Sequence, residues 1–292
     1  MLHRKIFFPI LGGLIALIVI LSVIVFHGQN NALSVVFLDV GQGDAILISQ
    51  GSQQVLIDGG KDGKLLLEKL GKYIPFWDRK LETIIETHPD QDHIGGLVDV
   101  LRTYEVGSVL ETKMQNNSQT FKKLEETVDQ LASQHKLEKI EAKKNVVIKF
   151  SNGAILQILY PLESVTDTNS NDTNLASVVA KLTVGDSRFL FTGDFPTLQD
   201  SSLLGSGEDV SANFLKVAHH GSKYATSNEF LEKVKPTEAI ISVGKNNSYG
   251  HPSPEVLQRL LQHKVKILRT DESGDVEYEC QNLNSKCFLK SF

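Results

Sequence analysis

The sequence predicts an α/β protein in which two sheets pack face to face with helices outside, behind an N-terminal membrane helix. Three observations carry this. Short apolar runs separated by turn residues recur in both halves of the chain, amphipathic stretches of helical spacing lie between them, and an uncharged apolar stretch runs from Ile6 to Phe26. The chain has 292 residues, is 41% hydrophobic and has a formal net charge of −5. That is the balance of a globular protein with a full core, and it gives no strong electrostatic argument for a polyanionic partner, so local patches must carry any such binding.

About 20 apolar residues span a bilayer as a helix, and Ile6 to Phe26 is interrupted only by Pro9, Gly12, Gly13 and Ser22. Arg4 and Lys5 precede it and no basic cluster follows, which places the N-terminus in the cytoplasm and the rest of the chain outside. The expectation is a single-pass membrane protein; secretion after signal-peptide cleavage is the alternative. Residues 1–32 form the anchor with a short polar linker from His27 to Ala32, and residues 33–292 form one domain.

In the first half, Leu33 to Val40 reads as a strand, Gly41 to Asp44 as a turn, and Ala45 to Ser49 with Gln54 to Ile57 as a hairpin closed by Gly51 and Ser52. Lys64 to Tyr73 has helical spacing, Leu81 to Glu86 reads as a strand, and helices are expected from about Gly95 to Tyr104 and from Phe121 to Gln134, with the strand Val106 to Leu110 between them. In the second half, strands are expected over Asn145 to Phe150, Ala154 to Tyr160, Ala176 to Val184, Arg188 to Thr192, Leu215 to Ala218, Ala239 to Val243 and Lys266 to Leu268. Helices are expected over Asn228 to Val234 and Ser253 to Gln262, and the polar run Asp167 to Asn174 reads as a loop. Cys280 and Cys287 either pair across a small hairpin or stay as two thiols.

Strand ends are where this chain places its metal-binding residue types. Thr87-His88-Pro89-Asp90-Gln91-Asp92-His93 puts two imidazoles and two carboxylates within six residues after a strand, with Gly95 and Gly96 next to allow close backbone approach. Asp194 follows the strand ending at Thr192 after one glycine and is expected to bridge a metal pair. His219 and His220 follow an apolar segment. Adjacent side chains diverge on a strand, so one of them, His219, is expected to reach metal, leaving His220 to donate a proton or hold a phosphate. His251 is expected as a ligand or substrate contact, and Asp58 as a residue that orients a ligand from behind. Asp44 is expected near the site and Asp39 in a turn, while Lys216, Lys223 and Lys245 read as solvated lysines adding local positive charge.

Taken in order, Phe37-Leu38-Asp39-Val40-Gly41-Gln42-Gly43-Asp44, Leu56 to Gly60, Thr87 to His93, Asn174 with Ser177 to Val179, Phe191 to Asp194, His219 to Ser222 and Tyr249 to Pro252 resemble the metallo-β-lactamase superfamily. The closer resemblance is to the hydrolase domain of the ComEC competence proteins. It covers Leu33 to about Ser253 and implies an αββα sandwich with two divalent ions held by His88, Asp90, Asp92, His93, Asp194 and His219. It also implies a hydrolase of phosphodiesters, DNA included, in which Asp92, His220 and His251 serve catalysis. Asp44, Asp58, Asn174 and Ser222 would stand behind the ligands or meet substrate.

The second ligand position is Asp90 where the superfamily usually has histidine, which brings manganese forward beside zinc. The intermediate histidine ligand of the superfamily has no counterpart, since His135 alone lies between His93 and Asp194. ComEC proteins resemble a DNA channel with many spans, whereas this chain offers one candidate span. The resemblance therefore supports metal-assisted hydrolysis, with ions acidifying a water and polarising a phosphoryl oxygen, and not DNA transport. Two other readings stay open: an envelope phosphodiesterase acting on phosphocholine-type esters, or a lactonase, on the same site; and a tethered module that binds nucleotide or nucleic acid without turnover.

Overall fold

The computed structural model describes residues 2–29, 32–165, 172–281, 283 and 285–290. Of the polar run Asp167 to Asn174, residues 167–171 lie outside the described residues.

The chain opens with helix α1 (Leu2–Gln29), which contains the apolar run; its side chains are described from Phe8 to Leu21, and all of these are exposed. Among the described residues no helix is long and apolar enough to cross a membrane. The linker expected from His27 is helical as far as Gln29.

The first half builds β1 (Leu33–Phe37), β2 (Ile46–Gln50), β3 (Gln53–Ile57), α2 (Gly63–Tyr73), β4 (Lys80–Ile85), the helical turn α3 (Gln91–Ile94), α4 (Leu97–Thr103), β5 (Glu105–Glu111), α5 (Gln119–Ser133) and β6 (Glu138–Glu141). The second builds β7 (Val147–Lys149), β8 (Ile155–Tyr160), β9 (Val179–Val184), β10 (Ser187–Phe191), α6 (Asp200–Gly205), β11 (Phe214–Lys216), α7 (Asn228–Val234), β12 (Glu238–Ile241), α8 (Pro254–Gln262), β13 (Lys266–Arg269) and α9 (Thr270–Ser273). The chain then returns to the first half with β14 (Val276–Cys280) and β15 (Phe288–Leu289).

One sheet runs β15-β14-β1-β2-β3-β4-β5-β6 and the other β13-β12-β11-β10-β9-β8-β7. The alternation of side chains along each strand sorts them into layers. Val35, Phe37, Ile46, Ile48 and Ile57 meet Leu156, Ile158, Leu182, Phe189 and Phe191 between the sheets. On the other face of the first sheet, Val36, Leu47, Leu56 and Ile84 pack on Leu66 and Leu70 of α2, Val100 of α4 and Leu124 of α5. The second sheet packs Leu190, Leu215 and Ile241 on Leu203, Phe230 and Leu260 of its own helices. The result is four layers, αββα, as expected.

The sequence reading differs from the structure at several elements. Strands β6 and β14 lie where no strand was expected; β6 pairs with β5 and β14 with β1, Leu33 opposite Cys280 and Phe37 opposite Val276. The expected strand from Ala176 is a short 3-10 turn, Thr173–Ala176, ahead of β9. Of the two states left open for Cys280 and Cys287, the structure has the disulfide.

Candidate metal centre

Ligand-bearing loops follow β1, β3, β4, β10 and β11, all at one end of the two sheets. The glycine at 43 lets the first of these loops lie against the ligand loop: a Cβ there would fall 2.0 Å from the Asp92 carbonyl oxygen, and the next amide, Asp44 N–H, donates to that same oxygen at 3.2 Å. Asp92 and His93 sit in the helical turn α3, and their ligand atoms come within 4.8 Å of one another and of His220.

Three imidazoles are fixed from behind with Nε2 turned inward. Asp58 accepts from His93 Nδ1 at 2.8 Å, and Thr87 binds the same carboxylate twice, through its amide (2.8 Å) and its hydroxyl (2.7 Å). With its hydroxyl proton given to Asp58, Thr87 Oγ1 accepts from His88 Nδ1 at 3.0 Å. The Ser242 carbonyl accepts from His220 Nδ1 at 2.9 Å. Metal-binding histidines are oriented in this way, the far nitrogen donating to a carboxylate or carbonyl.

What the inward nitrogens face is Asp194. Its Oδ2 lies 3.9 Å from His88 Nε2 and 3.6 Å from His219 Nε2, and its Oδ1 lies 3.3 Å from His93 Nε2 and 3.7 Å from His220 Nε2. Asp90 stands 3.8 Å from His88 Nε2, and Asp92 stands 3.3 Å from His220 Nε2. Two donor sets therefore share one carboxylate: His88, Asp90 and His219 on one oxygen, and Asp92, His93 and His220 on the other. The buried Nε2 atoms of His88, His93 and His220 and Oδ1 of Asp194 have no hydrogen-bond partner. Buried polar atoms are rarely left so, and orphans that converge within a few ångströms fit divalent ions, which take N and O donors of this kind.

The electrostatics agree with that fit. Against burial, which opposes it, Asp194, Asp44 and Asp92 raise His220 to about 9, and Asp194 and Asp58 hold His93 well above the usual imidazole range. Burial opposes ionisation of Asp194 too, but His220 and His93 hold it well below the usual carboxylate range. Burial and the neighbouring His93 push His88 down to about 3, leaving Nε2 a free acceptor. The carboxylates thus draw positive charge into a buried pocket. In a third cluster, Asp44, Asp58 and His93, the Asp58 carboxylate is taken up by His93 and Thr87 and one Asp44 oxygen by Lys216, while Asp44 Oδ1 is buried without a hydrogen-bond partner.

The other expected residues are placed as follows. Asp90 accepts from Thr173 Oγ1 at 2.5 Å and from Asn116 Nδ2 at 3.5 Å. Asn174 lies in the same 3-10 turn as Thr173, its Oδ1 buried and without a partner. Ser222 braces the histidine turn, its amide donating to the His219 carbonyl at 2.8 Å. The His251 ring lies 5.7 Å from that of His219, its Nδ1 buried and unpartnered, with exposed Tyr249 stacked on it at 5.9 Å. Burial, then His219, lowers its pKa. The turn residue Asp39 accepts from the amide of Gly41 at 3.3 Å.

Two expectations need correction. The histidine pair is not strand-like: after β11 both residues adopt left-handed backbone, φ 52° at each, so the two imidazoles do not diverge and both reach Asp194, on different oxygens. Lys216 is not solvated. It is fully buried, ion-paired with Asp44, and donates to the Gly193 carbonyl at 2.9 Å. A lone lysine in the apolar run Phe214 to Ala218, three residues before a histidine, was the available signal. Thr87 and Thr173, missed as well, adjoin residues that were singled out.

Compared with known proteins, residues 38–245 match the metallo-beta-lactamase superfamily. The chain is 32% identical over 84% of its length to ComE operon protein 3 of Bacillus subtilis, and 28% identical over 85% to competence protein ComA of Neisseria gonorrhoeae. It covers 33% and 32% of these relatives, about a third of their length. Among solved structures, the metallo-beta-lactamase fold protein YhfI of Bacillus subtilis superposes with a TM-score of 0.58 at 13% identity, covering 86% of this chain and 100% of that one. Igni18, a metallo hydrolase of Ignicoccus hospitalis, gives 0.50 at 15% identity, covering 84% and 98%.

Proposed function

We propose, for a chain that belongs to the metallo-beta-lactamase superfamily, metal-dependent hydrolysis of phosphodiesters with DNA as substrate, on a domain that α1 holds at the outer face of a membrane. The observation that carries the chemistry is the Asp194 carboxylate set between two pairs of imidazoles. His88, Asp90 and His219 would hold one divalent ion, Asp92, His93 and His220 a second, with Asp194 between them; zinc and manganese both suit such donors. Bound there, the pair supplies a water acidic enough to attack near neutral pH and stabilises charge on a phosphoryl oxygen.

The chain's own residues do the rest. Asp58, Thr87 and the Ser242 carbonyl keep the imidazoles aimed, which removes reorganisation from the reaction. With Nδ1 committed to Ser242 and Nε2 turned to Asp92 and Asp194, His220 acts as a ligand, and the role first expected of it passes to His251. His251, at the rim beside His219, contacts the phosphoryl group.

The competence name of the Neisseria gonorrhoeae relative supports DNA over other esters. Placement at a membrane rests on the apolar run Ile6 to Phe26 with Arg4 and Lys5 before it, and the Cys280–Cys287 disulfide supports an oxidising compartment outside the cytoplasm. A chain retaining both donor sets is poorly explained as a binder without turnover. The test is an assay of the purified full chain, with manganese or zinc, against single- and double-stranded DNA and a chromogenic phosphodiester, beside an Asp92→Ala, His93→Ala variant. DNA cleavage lost in the variant supports the reading. Turnover of the small ester with DNA untouched moves the substrate to envelope esters, and no turnover of either overturns the hydrolase.

A further inference from the structure

Two aromatic side chains have no place in this chemistry or in any core. Phe76 is 80% exposed and Trp77 is 74% exposed, their rings in edge contact at 4.9 Å in the turn between α2 and β4. Leaving such rings in water forgoes roughly 1.5–3 kcal/mol per side chain. The turn that shows them is firmly built. Asp78 accepts from Gln54 Nε2 (3.1 Å) and from the Lys80 amide (3.2 Å), and its own amide donates to the Pro75 carbonyl at 2.8 Å. Just upstream, Lys69 and the Tyr73 hydroxyl clamp the end of α2 to Asp275 at 2.7 and 2.9 Å. The pair is held out rather than left loose.

Strand register shows where it points. Leu33 pairs with Gln50, Gln50 with Gln53, and Val55 with Thr83 in parallel, so the starts of β1, β3 and β4 lie at one end of the sheet. Phe37, Ile57 and Ile85, which lead into the metal-centre loops, lie at the other. A five-residue strand separates the two ends by about 17 Å. At the far end, Trp77, Pro75 and Tyr73 line one surface hollow of about 970 Å³ together with Ala32 and Leu33, the first described residues after α1. The exposed aromatic pair is therefore neighbour to the root of the apolar helix.

We propose that Phe76 and Trp77 form a second contact with the bilayer, seated in the interfacial layer beside the root of α1, and that this contact holds the domain with its metal centre facing away from the membrane. The inference rests on the reading of α1 as a membrane anchor. Tryptophan suits the interface because its ring is apolar while its N–H finds a partner among the headgroups. The charges around the hollow do not add to a basic patch, since Lys80 pairs with Glu82 at 3.1 Å and Lys290 with Glu277 at 2.9 Å. The contact is apolar and needs no anionic lipid.

Trp77 is the only tryptophan of the chain, so its fluorescence reports this site alone. The full chain is reconstituted into phosphatidylcholine vesicles, with and without brominated acyl chains, and floated on a density gradient. The expected result is flotation, a blue-shifted Trp77 emission quenched by the brominated lipid, and an iodide quenching constant several-fold below that of the urea-unfolded chain. Phe76→Ser, at an exposed position, should raise iodide quenching while hydrolysis by the detergent-solubilised chain is unchanged. Flotation with Trp77 emission still water-like and open to iodide overturns the contact and leaves the anchor standing. Failure to float overturns the anchor, and the contact with it.

Discussion

The two donor sets that share Asp194 are built to different standards. Asp92, His93 and His220 are backed by Asp58, Thr87 and a backbone carbonyl, and both imidazoles are buried. His88, Asp90 and His219 have one buried imidazole; Asp90 is half-buried and steadied by Thr173, and among the described residues no hydrogen bond fixes the His219 ring. Affinity for an ion depends on donors already held in place, so the difference predicts that an ion held by Asp92, His93 and His220 would be the tighter. Graded chelation should then remove two ions in separate steps, and His219→Ala should abolish the weaker step while His220→Ala abolishes the tighter.

The largest effect should come from the residue common to both sets. Asp194→Ala is expected to lower hydrolysis by about 10³-fold or more, several kcal/mol of charge stabilisation, with both ions lost by metal analysis. A selective loss of one ion would break the symmetry assigned to this carboxylate. Next, Lys216→Met leaves Asp44 buried without its cation and should cost about 3–5 kcal/mol in denaturant unfolding of the metal-free chain.

Smaller changes separate the sets from behind. Asp58→Asn should weaken the tighter ion by roughly 10–100-fold and leave the weaker one near its original affinity. Thr173→Val removes one hydrogen bond from Asp90 and should cost about 1 kcal/mol at the weaker ion alone. A further effect lies outside both sets. Burial raises Glu111 from 4.5 to about 7. Between those values the folded state holds a proton that the unfolded state has released, so stability falls as pH rises from 4.5 to 7. Glu111→Gln should flatten that decline, and an unchanged pH profile would remove Glu111 from the account.

Much of this architecture was legible because its signals are local. Strands buried on both faces, such as Ile46–Gln50 and Ser187–Phe191, read as apolar runs, and helices α2, α5 and α8 declare themselves by spacing. Strand β14 was missed although Val276, Tyr278 and Cys280 alternate with Glu277 and Glu279 in strand fashion, and what no local signal gives is its place beside β1, about 240 residues earlier. In the site, Asp58 and Thr87 lie at strand ends and could be suspected, whereas the contact of Thr173 with Asp90 spans 83 residues and leaves no mark on either segment.

By itself the sequence determined that four donors of the metal-binding kind would share one loop, because six consecutive residues after a strand cannot separate far, and that an apolar helix would stand before a two-sheet domain. Only the tertiary structure decided how His219 and His220 divide between the oxygens of Asp194, that Lys216 would be buried against Asp44, and that Cys280 and Cys287 would pair. Each of these depends on a backbone turn or a burial imposed by segments far apart in the chain, and the free energy of such packing is a property of the assembled sheets rather than of any one segment.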